Sequence, residues 1–532
     1  MYRQIQHKAR ELTIKMPLLW LLLVAVVLYL PSLSAGITRL DDYVFVYKFR
    51  HYYEHYSHLV TSFRRGVFGV NDHFYRPLFL NSFLLNYKLT HGSLFSFHLV
   101  NVGLHAVATM LLYILFTLLY TGRRKSFLLS LLFCVHPVSV QAVTWLPGRN
   151  ETLLAVFVFA YFISSIKYSN TGKSGYLFLS ACFLLLAMFT KETGLLAAPA
   201  CFVLHCCYLH RQPDNKKLLP LFVSAGVVYT AWCAARFTAA VHAFPLSPVL
   251  LAKTFIKRWI LVVQYSGKIF LPGKLSVFPT IADTSIWPGL AAFALLGTFI
   301  YLSPRPNRLK VVGGLGIFLL FLLPAMIVPD YMSIQAFEHR VYLPLAGMLL
   351  VFPQFMIFSN KVPARLLASG ILPVIVLFAG INILHQRNFV NPLRFWTQAV
   401  ETSPSSAYAH MLLALQQPDK ATALQTMQQA QLLDPKTHHI HFNKGLLYGK
   451  FNEMDSAWYY FLAEQRLSGY YECNFQLARI AKKTGRLQLA RDYYAQYLSR
   501  NPNRGTNDLS SFQQQYPIAD TSLSIYFSKV LK

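Results

Sequence analysis

The sequence predicts an all-α protein, a polytopic helical membrane domain of about eleven spans followed by a C-terminal α-solenoid of stacked helix pairs. Three observations predict it. Of 532 residues, 55% are hydrophobic and only 13% are charged, with a mean hydropathy of +0.38. Soluble chains carry about 25% charge, so most of this chain lacks a water-facing surface. The apolar residues gather in runs of about 20, the length that crosses a bilayer as a helix. After residue 386 the composition turns polar and a period appears.

The first apolar run, Met16 to Leu33, reads as a retained helix. It is too long for a signal peptide, lacks a small-residue cleavage site, and is followed by further runs. The expected spans lie near 16–34, 97–120, 126–146, 151–167, 175–190, 194–210, 218–238, 285–302, 311–328, 341–359 and 364–384. The stretch 251–280 is apolar but carries Lys253, Lys257, Arg258, Lys268 and Lys274. It is expected along the outer surface or as a re-entrant segment. Seven cysteines, six of them in or beside spans, read as small apolar fillers rather than a disulfide framework.

The net charge of +28 has the same explanation. The basic residues cluster in short loops, such as Arg123-Arg124-Lys125, Arg211/Lys216/Lys217 and Lys361/Arg365. The positive-inside rule accounts for them without nucleic acid, and membrane lipid phosphates supply a further partner. With these clusters inside, an odd number of spans places the C-terminal domain outside.

That topology gathers the polar segments on the outer face: a loop over 35–96 containing Asp41-Asp42, the turn His136 to Glu151, Lys191-Glu192, and the loop Asp330 to Arg340. Charge at a bilayer edge is costly and marks function by default. Each group also has a plain structural reading. Asp41 and Asp42 can cap a helix, and Arg76, Arg149, Lys191 and Arg340 can snorkel to headgroups. Lys191 and Glu192 can form an ion pair. His98 and His105 share a helix face and read as interhelical hydrogen-bonding groups. Asn150-Glu151-Thr152 matches a glycosylation sequon but opens a span.

One competing motif is His51-Tyr52-Tyr53-Glu54-His55. On a helix, His51, Glu54, His55 and His58 would share one face and make a zinc peptidase site with Glu54 as base. The abundance of aromatic residues around it favours an interfacial helix instead.

The domain boundary is expected at 386/387, with 1–386 in the membrane and 387–532 soluble. In the second part Pro404 and Pro435 are separated by 31 positions, and Pro502 follows after nearly two further periods. Between them Ala407-Tyr408, Ala421, Gly445, Tyr448, Ala457, Ala478, Gly485, Ala490 and Tyr494 fall in helix-hairpin order. This resembles tetratricopeptide repeats, and about three fit. Such pairs bury their apolar faces on one another and leave a groove.

Most of the chain resembles the type C (GT-C) membrane glycosyltransferases, in particular the transmembrane-and-tetratricopeptide-repeat O-mannosyltransferase family. The resemblance rests on LDDYVFV (40–46), YRPLFLNSFLLNY (75–87), FHLVNVGLHA (97–106), HPVSVQAVTWLPGRNE (136–151), FTKETGL (189–195) and EHRVYLPLAG (338–347), followed by the repeats. It implies sugar transfer from a polyprenyl-phosphate donor to a hydroxyl, with protein serine or threonine the expected acceptor, on the outer face. It maps the base onto Asp41 or Asp42. The leaving phosphate needs cations, and the outward candidates are Arg340, Lys191, His339, Arg76 and Arg149, with Glu192, Glu338 and His136 in support. No cofactor is required and no metal ligand is assigned, although some type C enzymes use a divalent cation. The repeats are expected to bind the protein acceptor. The membrane is a bacterial inner membrane or the endoplasmic reticulum, with the repeats periplasmic or luminal. The alternative from another class is a non-catalytic, membrane-anchored assembly or chaperone component.

Overall fold

The computed structural model describes residues 16–68, 73–120, 122–209, 215–239, 247–303, 306–328, 334–355, 364–437 and 439–499. Asp330 and Pro502 lie outside the described residues, as do the basic residues preceding Met16. The structure is 81% helical. Among the described residues the only β feature is an isolated bridge between Thr280 and Gln335.

Five helices are long and apolar enough to cross a membrane: Leu94–Leu119, Leu146–Thr171, Lys217–Thr238, Arg308–Met326 and Ser369–Phe389. The helices Arg123–Val135 and Pro137–Thr144 make a sixth if counted together, bent by 50°. The bend falls at His136-Pro137. Proline cannot donate to the helix ladder, and it forces the residue before it into extended geometry; His136 has φ −61° and ψ 125°. Shorter apolar helices span Met16–Leu28, Ser174–Thr190, Glu192–Tyr208 and Trp287–Leu302. Length and composition thus qualify five or six spans among the described residues, rather than eleven.

One expectation changes and another gains detail. The span expected near 341–359 is a helix of 8 residues, Tyr342–Leu349, buried along its whole length, and a short turn with Pro353 near its start follows it. The stretch 251–280 forms two helices of 11 residues, Pro248–Arg258 and Ile260–Phe270. Each is about 16 Å long, half of what a bilayer needs. The second packs backbone to backbone against Trp287–Leu302. A Cβ on Gly289 would sit 2.0 Å from the Val263 carbonyl oxygen, so only glycine permits this approach.

The membrane helices share one core. On Lys217–Thr238 the inward residues Leu221, Ala225, Val228 and Trp232 are buried, while Leu219, Val223 and Val227 stay exposed as a lipid-facing stripe. His105 joins three segments, with Tyr342 Oη at 2.7 Å from Nδ1 and the Cys134 carbonyl at 3.0 Å from Nε2. The carbonyl accepts only, so Nε2 carries the proton and Nδ1 accepts from the tyrosine. The seven cysteines are free. In the loop over 35–96, the Pro77–Thr90 helix packs through Phe79 and Phe83 against Phe45 and Phe97.

The chain divides into two compact units, Met1–Ser403 and Pro404–Lys532. The helix Pro392–Thr402, expected in the soluble part, packs within the first. The second unit contains three successive helix pairs. They are Ala407–Gln416 with Lys420–Leu433, Ile440–Lys450 with Met454–Ser468, and Glu472–Lys483 with Leu487–Ser499. Gly445 lets the middle pair close. A Cβ there would meet the Phe461 ring at 2.7 Å.

Candidate active site

The Asp41-Asp42 turn is built by its own carboxylates. Arg39 enters it with φ 64°, and Asp41–Tyr43 forms a single helical turn. Asp42 is buried. Its Oδ2 accepts the backbone N–H of Thr38, and its Oδ1 accepts that of Tyr43 at 2.9 Å. Asp42 thereby ties the Thr38 N–H ahead of the turn to the Tyr43 N–H within it. Burial pushes its carboxyl up to about 6, opposed by the Thr38 and Tyr43 bonds and reinforced by the negative charge of Asp41.

Asp41 is different. Its side chain is accessible and makes no hydrogen bond among the described residues, yet surrounding protein desolvates it. It lies in a recess. Burial raises its carboxyl to about 6, and the Arg76 guanidinium pulls against that shift. Of the two adjacent carboxylates, one holds the turn and the other is free.

Arg76 faces this recess, and Lys191 and Arg340 lie within electrostatic reach of Arg76 from two other segments. Arg76 stands immediately before Pro77–Thr90. Its Nε donates to Glu192 Oε2 at 2.8 Å, while the Tyr75 backbone N–H donates to Glu192 Oε1 at 3.0 Å. Lys191 follows the helix Ser174–Thr190, and its Nζ pairs with Glu151 Oε1. Arg340 lies in the short helical turn Glu338–Val341. Among the described residues it has no ion-pair partner, and its Nη1 is closed off from solvent without a hydrogen-bond partner.

These groups feel one another. Burial lowers the Lys191 ammonium, Glu151 opposes that shift, and Arg76 and Arg340 add to it. Burial also lowers Arg340, with Tyr265 and Glu151 opposing and Arg76 adding. Among the described residues Arg76 and Lys191 have carboxylate partners and Arg340 has none.

His339 also reaches this region, but not as a cation. Burial holds it well below the usual imidazole range, and Lys191, Arg340 and Arg76 push the same way. Its ring lies against Phe337 and Trp145, at centroid distances of 5.3 and 5.4 Å. Gln141 donates from Nε2 to the Val277 carbonyl at 2.8 Å, which fixes its Oε1 as the acceptor for the His339 backbone N–H and Nδ1. Nδ1 therefore holds the proton, and His339 Nε2 is an acceptor.

Three expected residues are committed elsewhere. Arg149 is fully buried. It donates to Asn101 Oδ1, Asn86 Oδ1 and the carbonyls of Ser82 and Phe97, and lies 4.2 Å from the centroid of the Phe83 ring. It ties the outer loop to two helices and does not offer a fork to a phosphate. His136 serves the bend, donating from Nε2 to the Ile269 carbonyl at 2.9 Å and accepting the Val138 N–H at Nδ1. Glu338 is buried, and its Oε1 accepts from Lys268 Nζ at 2.8 Å and from the Ser276 N–H at 2.9 Å. It anchors the turn that carries Arg340.

The zinc reading fails on geometry. The helix Arg50–Tyr53 ends before Glu54, so His51, Glu54, His55 and His58 share no helix face. His58 stacks on Tyr52 at 4.2 Å, and no group of three His, Cys, Asp or Glu suited to a metal occurs among the described residues. Sequence reasoning also gave no role to Glu151, Gln141 or Lys268. Glu151 carried a signal, as a carboxylate at the start of a span. Gln141 and Lys268 carried none, because their partners lie far away in sequence.

The fold and the cluster define a helical integral membrane protein with an accessible carboxylate, Asp41, beside Arg76, and with Lys191 and Arg340 within electrostatic reach of that arginine. No family model matches the chain. Its sequence is similar to several protein O-mannosyl-transferases. It is 28% identical over 239 residues to TMTC3 of Mus musculus, covering 44% of this chain and 23% of that protein. It is 24% identical over 368 residues to F38B6.6 of Caenorhabditis elegans, covering 65% of this chain and 51% of that protein. It is 24% identical over 414 residues to TMTC4 of Homo sapiens, covering 65% and 56%. The chain is thus similar in sequence to protein O-mannosyl-transferases of the TMTC type. It spans between about a quarter and just over half of the length of these relatives.

Proposed function

We propose that this protein is a membrane glycosyltransferase that moves a mannosyl group from a polyprenyl-phosphate donor to a serine or threonine hydroxyl of a protein acceptor, at the outer or luminal membrane face. The observation that carries the reading is Arg340. Among the described residues it has no ion pair, and its buried Nη1 has no hydrogen-bond partner beside Lys191 and Arg76, which makes it the group in place to meet an anion. A phosphate bridging a lipid and a sugar supplies one at the depth where the spans end. The names of the relatives motivate the sugar and the acceptor.

In this reading Asp41 accepts the proton of the acceptor hydroxyl as its oxygen attacks the anomeric carbon. The bond from that carbon to the phosphate oxygen breaks, and configuration inverts. The polyprenyl phosphate leaves with one more negative charge, which Arg340, Lys191 and Arg76 stabilise. A base titrating near 6 is largely ionised at neutral pH while keeping useful basicity. Asp42 keeps the turn in shape. His339 contributes its neutral Nε2 as a hydrogen-bond acceptor for a sugar or acceptor hydroxyl. The repeat unit recognises the acceptor protein, and the buried Arg149 keeps the outer loop in register.

The test is transfer from polyprenyl-phosphate mannose to a serine/threonine peptide by the purified full-length chain in lipid. Peptide mannosylation lost in Asp41→Asn supports the reading. Equal transfer by wild type and Asp41→Asn, or none by wild type with several peptides and donor tail lengths, overturns it.

A further inference from the structure

The two halves of the candidate site share no direct bond among the described residues, yet one helix outside it holds both. Pro392–Thr402 starts with Asn391, whose Oδ1 accepts the Arg394 N–H at 2.9 Å, and lies within the first unit. On one side Trp396, fully buried, donates from Nε1 to the Thr38 carbonyl at 3.0 Å. Thr38 in turn gives its N–H to Asp42, so the indole is one bond removed from the Asp41-Asp42 turn. Next to it Gly36 donates to the Val390 carbonyl at 3.0 Å, where a Cβ would stand 2.7 Å from that oxygen.

On its other side the same helix grips the extended segment 275–280. Gln398 accepts the Val277 N–H and donates to the Leu275 carbonyl, both at 2.9 Å. Thr402 Oγ1 meets Ser276 Oγ at 2.6 Å, and Ser403 Oγ donates to the Phe278 carbonyl at 2.9 Å. That segment carries the Arg340 turn. Ser276 N–H donates to Glu338, the Pro279 carbonyl accepts from Ala336 at 2.8 Å, and the Val277 carbonyl holds Gln141, which holds His339.

We propose that Pro392–Thr402 is a clamp that sets the spacing between the Asp41 turn and the Arg340 turn, with Trp396 and Gln398 as its positioning residues. The proposal deepens the transferase reading and rests on it for its kinetic consequence. The base and the phosphate-binding cation come from segments about 300 residues apart in the sequence, and misplacing reacting groups by 1 Å costs about 100-fold in rate. A helix bonded to both loops supplies the missing rigid link.

Two variants separate the two grips. Trp396→Phe keeps the ring beside Phe278 and Phe395 but removes the N–H donor. Gln398→Leu keeps the bulk and removes both bonds to 275–277. Hydrogen exchange of the full-length chain in lipid is read at 36–43, 275–281 and 335–342, with 100–115 as a control. Trp396→Phe is expected to speed exchange at 36–43, and Gln398→Leu at 275–281 and 335–342, with the control unchanged. In the transfer assay the first lowers kcat about tenfold with donor KM within twofold, and the second raises donor KM. Unchanged exchange in both variants, or equal acceleration in the control, overturns the clamp. If wild type transfers no sugar, the transferase reading fails while the exchange data still decide the clamp.

Discussion

Arg76 donates from Nε to Glu192 Oε2 at 2.8 Å across 116 residues of sequence. Its neighbour Lys191 turns the other way, to Glu151. Two adjacent residues of one turn thus tie an outer loop to the start of a span, and they use up two of the four carboxylates near the recess. Asp42 uses a third for its own turn. Among the described residues this leaves Asp41, a carboxylate without a side-chain hydrogen bond, and Arg340, a cation without an ion pair.

Asp41→Asn should reduce transfer at least 100-fold, the scale of general-base catalysis, with protein level and melting temperature unchanged. Asp42→Asn should lower the melting temperature, because it disturbs the acceptor of two backbone N–H groups. Kinetics and thermal melting of the two variants side by side check the division of roles.

The rate should fall on the acid side with a midpoint near 6, where Asp41 takes up its proton and ceases to be a base. Arg76 stabilises the ionised form. Arg76→Met should therefore raise the Asp41 pKa and move that limb to higher pH. A pH profile of kcat/KM for the two proteins is the measurement, and a shift toward acid would contradict the assignment.

Arg340→Ala should raise donor KM or lower kcat/KM by about 10- to 100-fold, the worth of a charged hydrogen bond to phosphate. It should leave the melting temperature unchanged, since no ion pair of this guanidinium occurs among the described residues. Arg149→Met should do the reverse. It strips four hydrogen bonds from buried partners and should depress melting sharply. Donor titration and melting curves distinguish the two arginines.

Lys191→Met should be more damaging to stability than the double change Lys191→Met with Glu151→Gln. Removing one member of a buried pair strands the other charge, at a cost of about 3–5 kcal/mol. The double variant should regain melting temperature but not transfer. A double-mutant cycle on both readouts checks this.

Gly445→Val should destabilise the second unit by about 1–3 kcal/mol, because the Phe461 ring fills the space its side chain needs. Limited proteolysis should then cut between residues 404 and 499 earlier than in wild type.

The sequence pointed to the recess and not to its wiring. Asp41, Asp42, Arg76, Lys191 and Arg340 stood out as charges at the ends of apolar runs, which is a local signal. Arg149 gave the same signal, and the structure turns it inward to four buried acceptors. His339 read as a cation, and its surroundings keep it neutral. The helix 342–349 read as a span because burial in protein and burial in lipid select the same apolar residues.

By itself the sequence determined the helical class, the apolar scaffold, the change of character after residue 386 and the charged segments between the runs. These follow from composition and from periods of a few residues, which a chain displays without folding. Only the tertiary structure decided which charges neutralise each other, which carboxylate of Asp41-Asp42 is free, and that Trp396 and Gln398 grip both sides of the site. Those outcomes depend on partners tens to hundreds of residues apart. An ion pair or a buried hydrogen bond is set by distance and desolvation in space, and neither is written in the local pattern.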